Sequence, residues 1–165
     1  MMKSLRLLAL ATVLAISAPA AYARDVASAN VTAPAKASTA KQQVEAAFAA
    51  WLKAVSTGSP DAVEKLYTKD AVLLPTLAPA VHNTPALRHE YFVMFTGKKN
   101  LKGTVDESHI RVFSDMAVNS GLYTFTFENA DGETVSVPAR YSFVYHKTPQ
   151  GWLIVDHHSS LVPKA

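Results

Sequence analysis

Trp152-Leu153-Ile154-Val155-Asp156-His157-His158-Ser159-Ser160 carries two signals in nine residues. A Trp-led, β-branched run reads as a buried strand. Its tip is then five polar side chains, where a plain core strand would run into a turn. A strand that turns polar at its end carries those groups to the rim of a pocket or into an interface.

Working back from this strand, Thr148-Pro149-Gln150-Gly151 closes a hairpin. The preceding strand alternates, with Tyr141, Phe143 and Tyr145 on one face and Arg140, Ser142, Val144 and His146 on the other. Asn129-Ala130-Asp131-Gly132 is a further hairpin turn. Before it, Tyr123, Phe125 and Phe127 share a face opposite Leu122, Thr124 and Thr126. Val105 to Phe113 also alternates and ends at the Ser114-Asp115 turn. Gly121 and Pro138 are the expected bulge positions that would curve this meander.

The first half of the domain has helical spacing. Val44, Ala47, Phe48, Trp51, Leu52 and Val55 form one stripe, with Ser38 or Thr39 as cap and Gly58 at the end. Ser59-Pro60 opens a second helix, with Val63, Leu66 and Tyr67 as its apolar side. Ala71 to Leu74 reads as a short buried strand halted by Pro75. Thr84-Pro85 starts a third helix that runs to about Thr96 and stops at Gly97. Leu87, Tyr91, Met94 and Phe95 are its expected apolar face. Helices followed by a long antiparallel meander make an α+β fold. Covering the aromatic face of a curved sheet with those helices gives a cone, and its mouth is a natural pocket.

Residues 1–23 have the form of an export signal. Lys3 and Arg6 precede an apolar run from Leu7 to Ile16 that is too short to span a bilayer, and Ala21-Tyr22-Ala23 is an A-x-A site. Cleavage is expected before Arg24, with periplasmic or secreted localisation and no stable membrane insertion afterwards. Residues 24–38 hold hardly any large apolar side chain and read as a flexible leader; the domain then spans 39–163. The chain contains no cysteine, which excludes disulfides, Cys-ligated metal and a thiol nucleophile. Removing Lys3 and Arg6 from the 16 basic residues leaves 14 against 13 acidic, a net of +1. Only Lys98, Lys99 and Lys102 cluster, so no nucleic-acid footprint is expected.

The order of elements resembles the NTF2-like, or SnoaL-like, α+β cone. More narrowly, it resembles the association (hub) domain of calcium/calmodulin-dependent protein kinase II and its exported bacterial relatives. The residues that carry the resemblance are Leu66-Tyr67-Thr68-Lys69-Asp70, Tyr91-Phe92, Gly121 to Phe125, Ala139 to Phe143, and Gly151 to Val155 followed by His157-His158-Ser159-Ser160. It implies an oligomerising domain without kinase chemistry, built as a homodimer through the outer sheet face or as a larger ring. No phosphate-binding loop or dinucleotide fingerprint is present, so no cofactor is expected.

The hub also has a pocket suited to small carboxylates. Tyr67 stands where the hub has a pocket tyrosine, and His158 matches a terminal-strand histidine. Ser159 replaces a hub arginine, and Phe125 and Phe143 take other basic positions, so the anion site is thinned. Arg88 is the positive charge that would still face the cavity.

The candidate ligand-binding set is therefore Tyr67, Arg88, Tyr91, Tyr123, Phe143, His157 and Ser159, for a small polar or anionic ligand. Arg140, Asp156 and His158 are assigned to the interface or the rim, with Arg140 facing outward unless a bulge at Pro138 turns it. Adjacent His157 and His158 point to opposite faces and are poorly placed to share a metal, so no metal site is expected. The alternative function is a SnoaL-like isomerase, cyclase or hydratase. It would use Asp156 and His158, which share a face at i, i+2, as catalytic groups for proton transfer inside the cone. A Ser-His-Asp hydrolase is disfavoured, because no G-x-S-x-G turn exposes Ser159 or Ser160.

Overall fold

The computed structural model describes residues 38–76 and 78–163. The expected signal segment, and the leader apart from Ser38, lie outside the described residues. The element order is α1 (Ala40–Ser56), α2 (Pro60–Glu64), β1 (Tyr67–Leu74), α3 (Pro85–Thr96), β2 (Lys99–Phe113), β3 (Met116–Glu128), β4 (Thr134–Thr148) and β5 (Gly151–Leu161).

Local chemistry sets the helix ends. Thr39 and Gln42 form a reciprocal capping box at α1, and Gly58, at φ 75°, supplies the left-handed residue after its last turn. Ser59 and Thr84 each cap a helix whose first residue is proline. Tyr67 lies in β1, not on the apolar side of α2. Helix α3 also presents a different face from the expected one. Arg88, Phe92 and Thr96 are buried, Tyr91 and Phe95 are half-buried, and Leu87 and Met94 are exposed. The expected stripe counted only apolar residues, whereas the buried row includes an arginine and a threonine.

The five strands form one sheet in the order β1-β5-β4-β3-β2, with β1 parallel to β5 and the other neighbours antiparallel. Val44, Phe48, Trp51 and Val55 of α1 join Tyr123, Phe125, Tyr141, Phe143 and Tyr145 in a single core cluster. Burying such an aromatic layer is the main drive to fold.

The irregularities are not at the expected places. Pro138 pairs with Thr124 in an unbroken β3–β4 register, and Gly121 pairs with Ser108 just beyond a bulge that belongs to β2, between Val105 and Glu107. A second irregularity lies in β5. Val144 pairs with Asp156 and Tyr145 with Ile154, so Val155 is an extra residue. A third lies in β1, where five steps from Tyr67 to Val72 match two from Ile154 to Asp156. The last two determine what faces the interior of the cone.

Candidate functional site: an aromatic-walled cavity

The β5 bulge exchanges the faces of the polar tip. Trp152 and Ile154 point inward; after Val155 the inward residues become His157 and Ser159. Uninterrupted alternation would have kept Asp156 and His158 in line with Trp152 and Ile154. Instead His158 is exposed and Asp156 is half-buried, on the outer face. Partial burial raises the Asp156 carboxyl above its ordinary range, and neighbouring His158 works in the opposite direction. The pair shares a face, as expected, but that face is outside the cone.

A cavity of about 260 Å³ lies between α1, α3 and the concave sheet. Its deep wall includes Trp51, Phe92, Tyr123 and His157, all buried. Phe95, Phe125 and Tyr91 continue the aromatic lining, and Met94, Lys98, Phe127 and Thr76 stand at its more exposed end. Lys98 holds its Nζ 4.3 Å from the centre of the Phe127 ring, a cation–π contact. Among the described residues, no carboxylate lines it.

His157 is fixed from three sides. Its ring stacks on Phe143 at 3.8 Å between centroids and meets the Trp51 ring edge-on at 5.2 Å. Its Nδ1 lies 2.8 Å from the Tyr67 hydroxyl, which is itself 3.0 Å from Trp51 Nε1. An indole N–H can only donate. Tyr67 Oη therefore accepts from Trp51, and since His157 Nδ1 is the one acceptor within reach of its own proton among the described residues, the contact is satisfied with Tyr67 donating. Burial, reinforced by neighbouring His158, pushes the imidazole pKa down to about 3, so the ring is neutral at ordinary pH. With Nδ1 accepting, the ring proton sits on Nε2. That atom is buried and has no partner among the described residues. Of the buried polar atoms left unpaired there, it alone belongs to a cavity-lining residue.

A second polar row runs alongside. The Tyr123 hydroxyl donates to Ser159 Oγ at 2.6 Å, and Ser159 Oγ is hydrogen-bonded to Thr76 Oγ1. Desolvation raises the pKa values of Tyr67, Tyr91 and Tyr123, so all three stay as neutral phenols.

Of the expected ligand-binding set, the structure brings Tyr91, Tyr123, His157 and Ser159 to the cavity. Tyr67 and Phe143 stand behind His157 and orient it. Arg88 is not a cavity residue. It is fully buried, its Nη2 lies 2.6 Å from Glu64 Oε1 and its Nε 3.2 Å from Oε2. It also donates to the backbone oxygens of Thr68, Lys69 and Ala71. Those carbonyls lie between Tyr67 and Val72, where the β1–β5 register is interrupted, and an internal arginine donates to them. Arg140 is exposed on the outer face, level with Leu122 and Ser160, and makes no ion pair among the described residues. Trp51, Thr76, Phe92, Phe95 and Lys98 were not foreseen as lining. Trp51 lies on the apolar stripe of α1, which is the signal that would have found it, whereas Phe92 lies in the buried row with Arg88 and Thr96, which apolar spacing does not mark.

Among the described residues there is no group of three or more His, Asp or Glu side chains placed to hold a metal, and no helix is long and apolar enough to cross a membrane.

Comparison with known proteins agrees with the architecture. The family model for the calcium/calmodulin dependent protein kinase II association domain matches residues 40–163. A crystal structure of a provisional domain of that kind from Xanthomonas campestris is 41% identical, with a TM-score of 0.71 over 75% of this chain and 89% of that one. A provisional dehydratase of the NTF2-like family from Streptomyces avermitilis shares the fold at 17% identity, with a TM-score of 0.70 over 76% of this chain and 97% of its own. An NTF2-like superfamily protein from Salmonella enterica does so at 22% identity, with a TM-score of 0.68 over 76% and 93%. No curated protein matches the chain. With three-quarters of its length under one family model and a 41% identical relative, the chain belongs to the calcium/calmodulin dependent protein kinase II association domain family and has an NTF2-like fold.

Proposed function

We propose that this protein is an exported, non-catalytic, self-associating domain whose cone holds a small polar ligand. The observation that carries this reading is the division of polar groups by the β5 bulge. Asp156 and His158, the pair suited to proton transfer, lie outside the cone. Inside are a neutral imidazole, hydroxyls and aromatic rings, with Lys98 at the exposed end and no carboxylate among the described lining residues. His157 is itself a poor general base, because its pKa is far below neutrality and its Nδ1 is occupied by Tyr67. A site that offers directional hydrogen bonds without an acid/base partner favours binding over turnover.

Self-association is supported by the outer sheet face. The core cluster joins the helices to the inner face, while the outer face carries Leu122, Arg140, Ser142, Val144, Asp156, His158 and Ser160 in register across three strands. This mixture of half-buried apolar and charged groups suits a two-fold contact between identical sheets. Light-scattering mass of the purified wild type and Arg140→Ala tests the reading. A wild-type dimer or larger assembly that Arg140→Ala shifts toward monomer is the expected result. A monomeric wild type at micromolar concentration overturns it.

A further inference from the structure

We propose that the cone selects a neutral, flat aromatic molecule bearing a carbonyl oxygen, which accepts its hydrogen bond from His157 Nε2. This deepens the ligand-binding reading above and rests on it. Three observations lead there.

The first is the wall. Trp51, Phe92, Phe95, Tyr123 and Phe125 present ring faces and edges to one space of about 260 Å³. They already pack as aromatic pairs, with Trp51 edge-on to Phe125 and Phe95 edge-on to Phe125. An added ring gains from each such pair beyond area burial. A cavity of roughly 150 Å³ admits benzene, so this one has room for a substituted ring.

The second is the donor. Trp51, Tyr67 and His157 form one directed chain, and its last proton is on Nε2 with nothing to receive it among the described residues. In this structure Nε2 is closed off from the cavity, so an oxygen acceptor on the ligand would reach it with a small shift of the ring, and the bond so made would recover the cost of a buried unpaired donor. Trp51 and Tyr67 are thus positioning residues; they set the tautomer that puts the ring proton on Nε2.

The third is the missing cation. Arg88 is committed to Glu64 and to backbone oxygens, His157 is neutral, and Lys98 stands at the exposed end over Phe127. A carboxylate drawn to the deep wall would lose its water without gaining a counter-charge, and that cost selects against it.

The test is calorimetric titration of the purified protein with acetophenone, with ethylbenzene (the same shape without the oxygen), and with benzoate and butyrate. Acetophenone is expected to bind about tenfold tighter than each of the others, since one net hydrogen bond is worth roughly a factor of ten. In His157→Phe, acetophenone and ethylbenzene should come within about twofold of each other. Histidine nitrogen NMR of the wild type gives an independent reading. It should show the Nε2–H tautomer of His157 before ligand is added, and a shift of that resonance with acetophenone but not with ethylbenzene. Tyr67→Phe should mix the tautomers. Tighter binding of benzoate or butyrate overturns the proposal, as do a preference that survives His157→Phe, an Nδ1–H tautomer, or no acetophenone binding at millimolar concentration. These results leave the self-association reading standing, since the light-scattering mass decides that separately.

Discussion

Tyr67 and His157, 90 residues apart, are joined by a 2.8 Å hydrogen bond between Oη and Nδ1. The bond ties edge strand β1 to the interior of β5 and orients an imidazole that burial keeps neutral. It also makes His157 a source of acid sensitivity. An unfolded histidine titrates near 6.5, whereas the folded one is held down to about 3, chiefly by burial. A depressed folded pKa means that the native state binds fewer protons than the unfolded state throughout that window. Stability from this group is therefore complete above pH 6.5 and declines as the pH falls toward 3, by about 1.4 kcal/mol per pH unit. Urea unfolding of the wild type from pH 7.5 to 4.5 should show this slope, and His157→Phe should flatten it. Equal slopes in the two proteins would show that other groups dominate the acid response.

Arg88→Met should cost about 3–5 kcal/mol in urea unfolding, because it strands a largely buried Glu64 carboxylate. Three carbonyls of β1 lose their donor at the same time. Arg88→Lys should recover only a small part, since one ammonium cannot span a carboxylate and those oxygens together. A cost near 1 kcal/mol for the methionine variant would remove Arg88 from its role as the staple of β1.

Arg88 also shows where the sequence stops being legible. Its place on the third helix is plain from Thr84-Pro85 and Gly97, and an arginine near a cone suggests an anion site. Its actual partners are Glu64 and carbonyls along a strand irregularity, and no side-chain pattern announces backbone that has left its register. The Val155 bulge is the same kind of event. Alternation shows that Asp156 and His158 share a face and that His157 and Ser159 share the other. Which face is interior depends on the match to Val144 and Tyr145 across the ladder. By contrast the α+β order, the helix caps, the hairpin turns and the aromatic rows of β3 and β4 were readable, because each is set by neighbours within a few residues.

Export makes a covalent prediction. If Ala21-Tyr22-Ala23 is the processing site, the full chain expressed in a Gram-negative host should be recovered outside the cytoplasm with Arg24 as its first residue. Intact mass and N-terminal sequencing read this directly. Recovery of an unprocessed chain in the cytoplasm would remove export from the proposed function.

Gly121 offers the sharpest steric test of the sheet. It pairs with Ser108 next to the β2 bulge, and a Cβ there would sit 1.9 Å from the Glu107 carbonyl oxygen and 2.9 Å from the Tyr141 hydroxyl. That hydroxyl donates to the same Glu107 oxygen at 3.0 Å. The obstacle is mainly backbone, which cannot swing aside as a long side chain can. Gly121→Ala should therefore push β2 away from β3, break the Tyr141 bond and cost about 2–3 kcal/mol, within the range for overpacking. Its neighbour Ser120 loses only a 3.3 Å contact with Ser142 when changed to alanine, at a cost of about 1 kcal/mol or less. Thermal unfolding of the two variants side by side should place Gly121→Ala well below Ser120→Ala. Equal midpoints would mean that β2 does not approach so closely, and the curvature that shapes the cavity would need another cause.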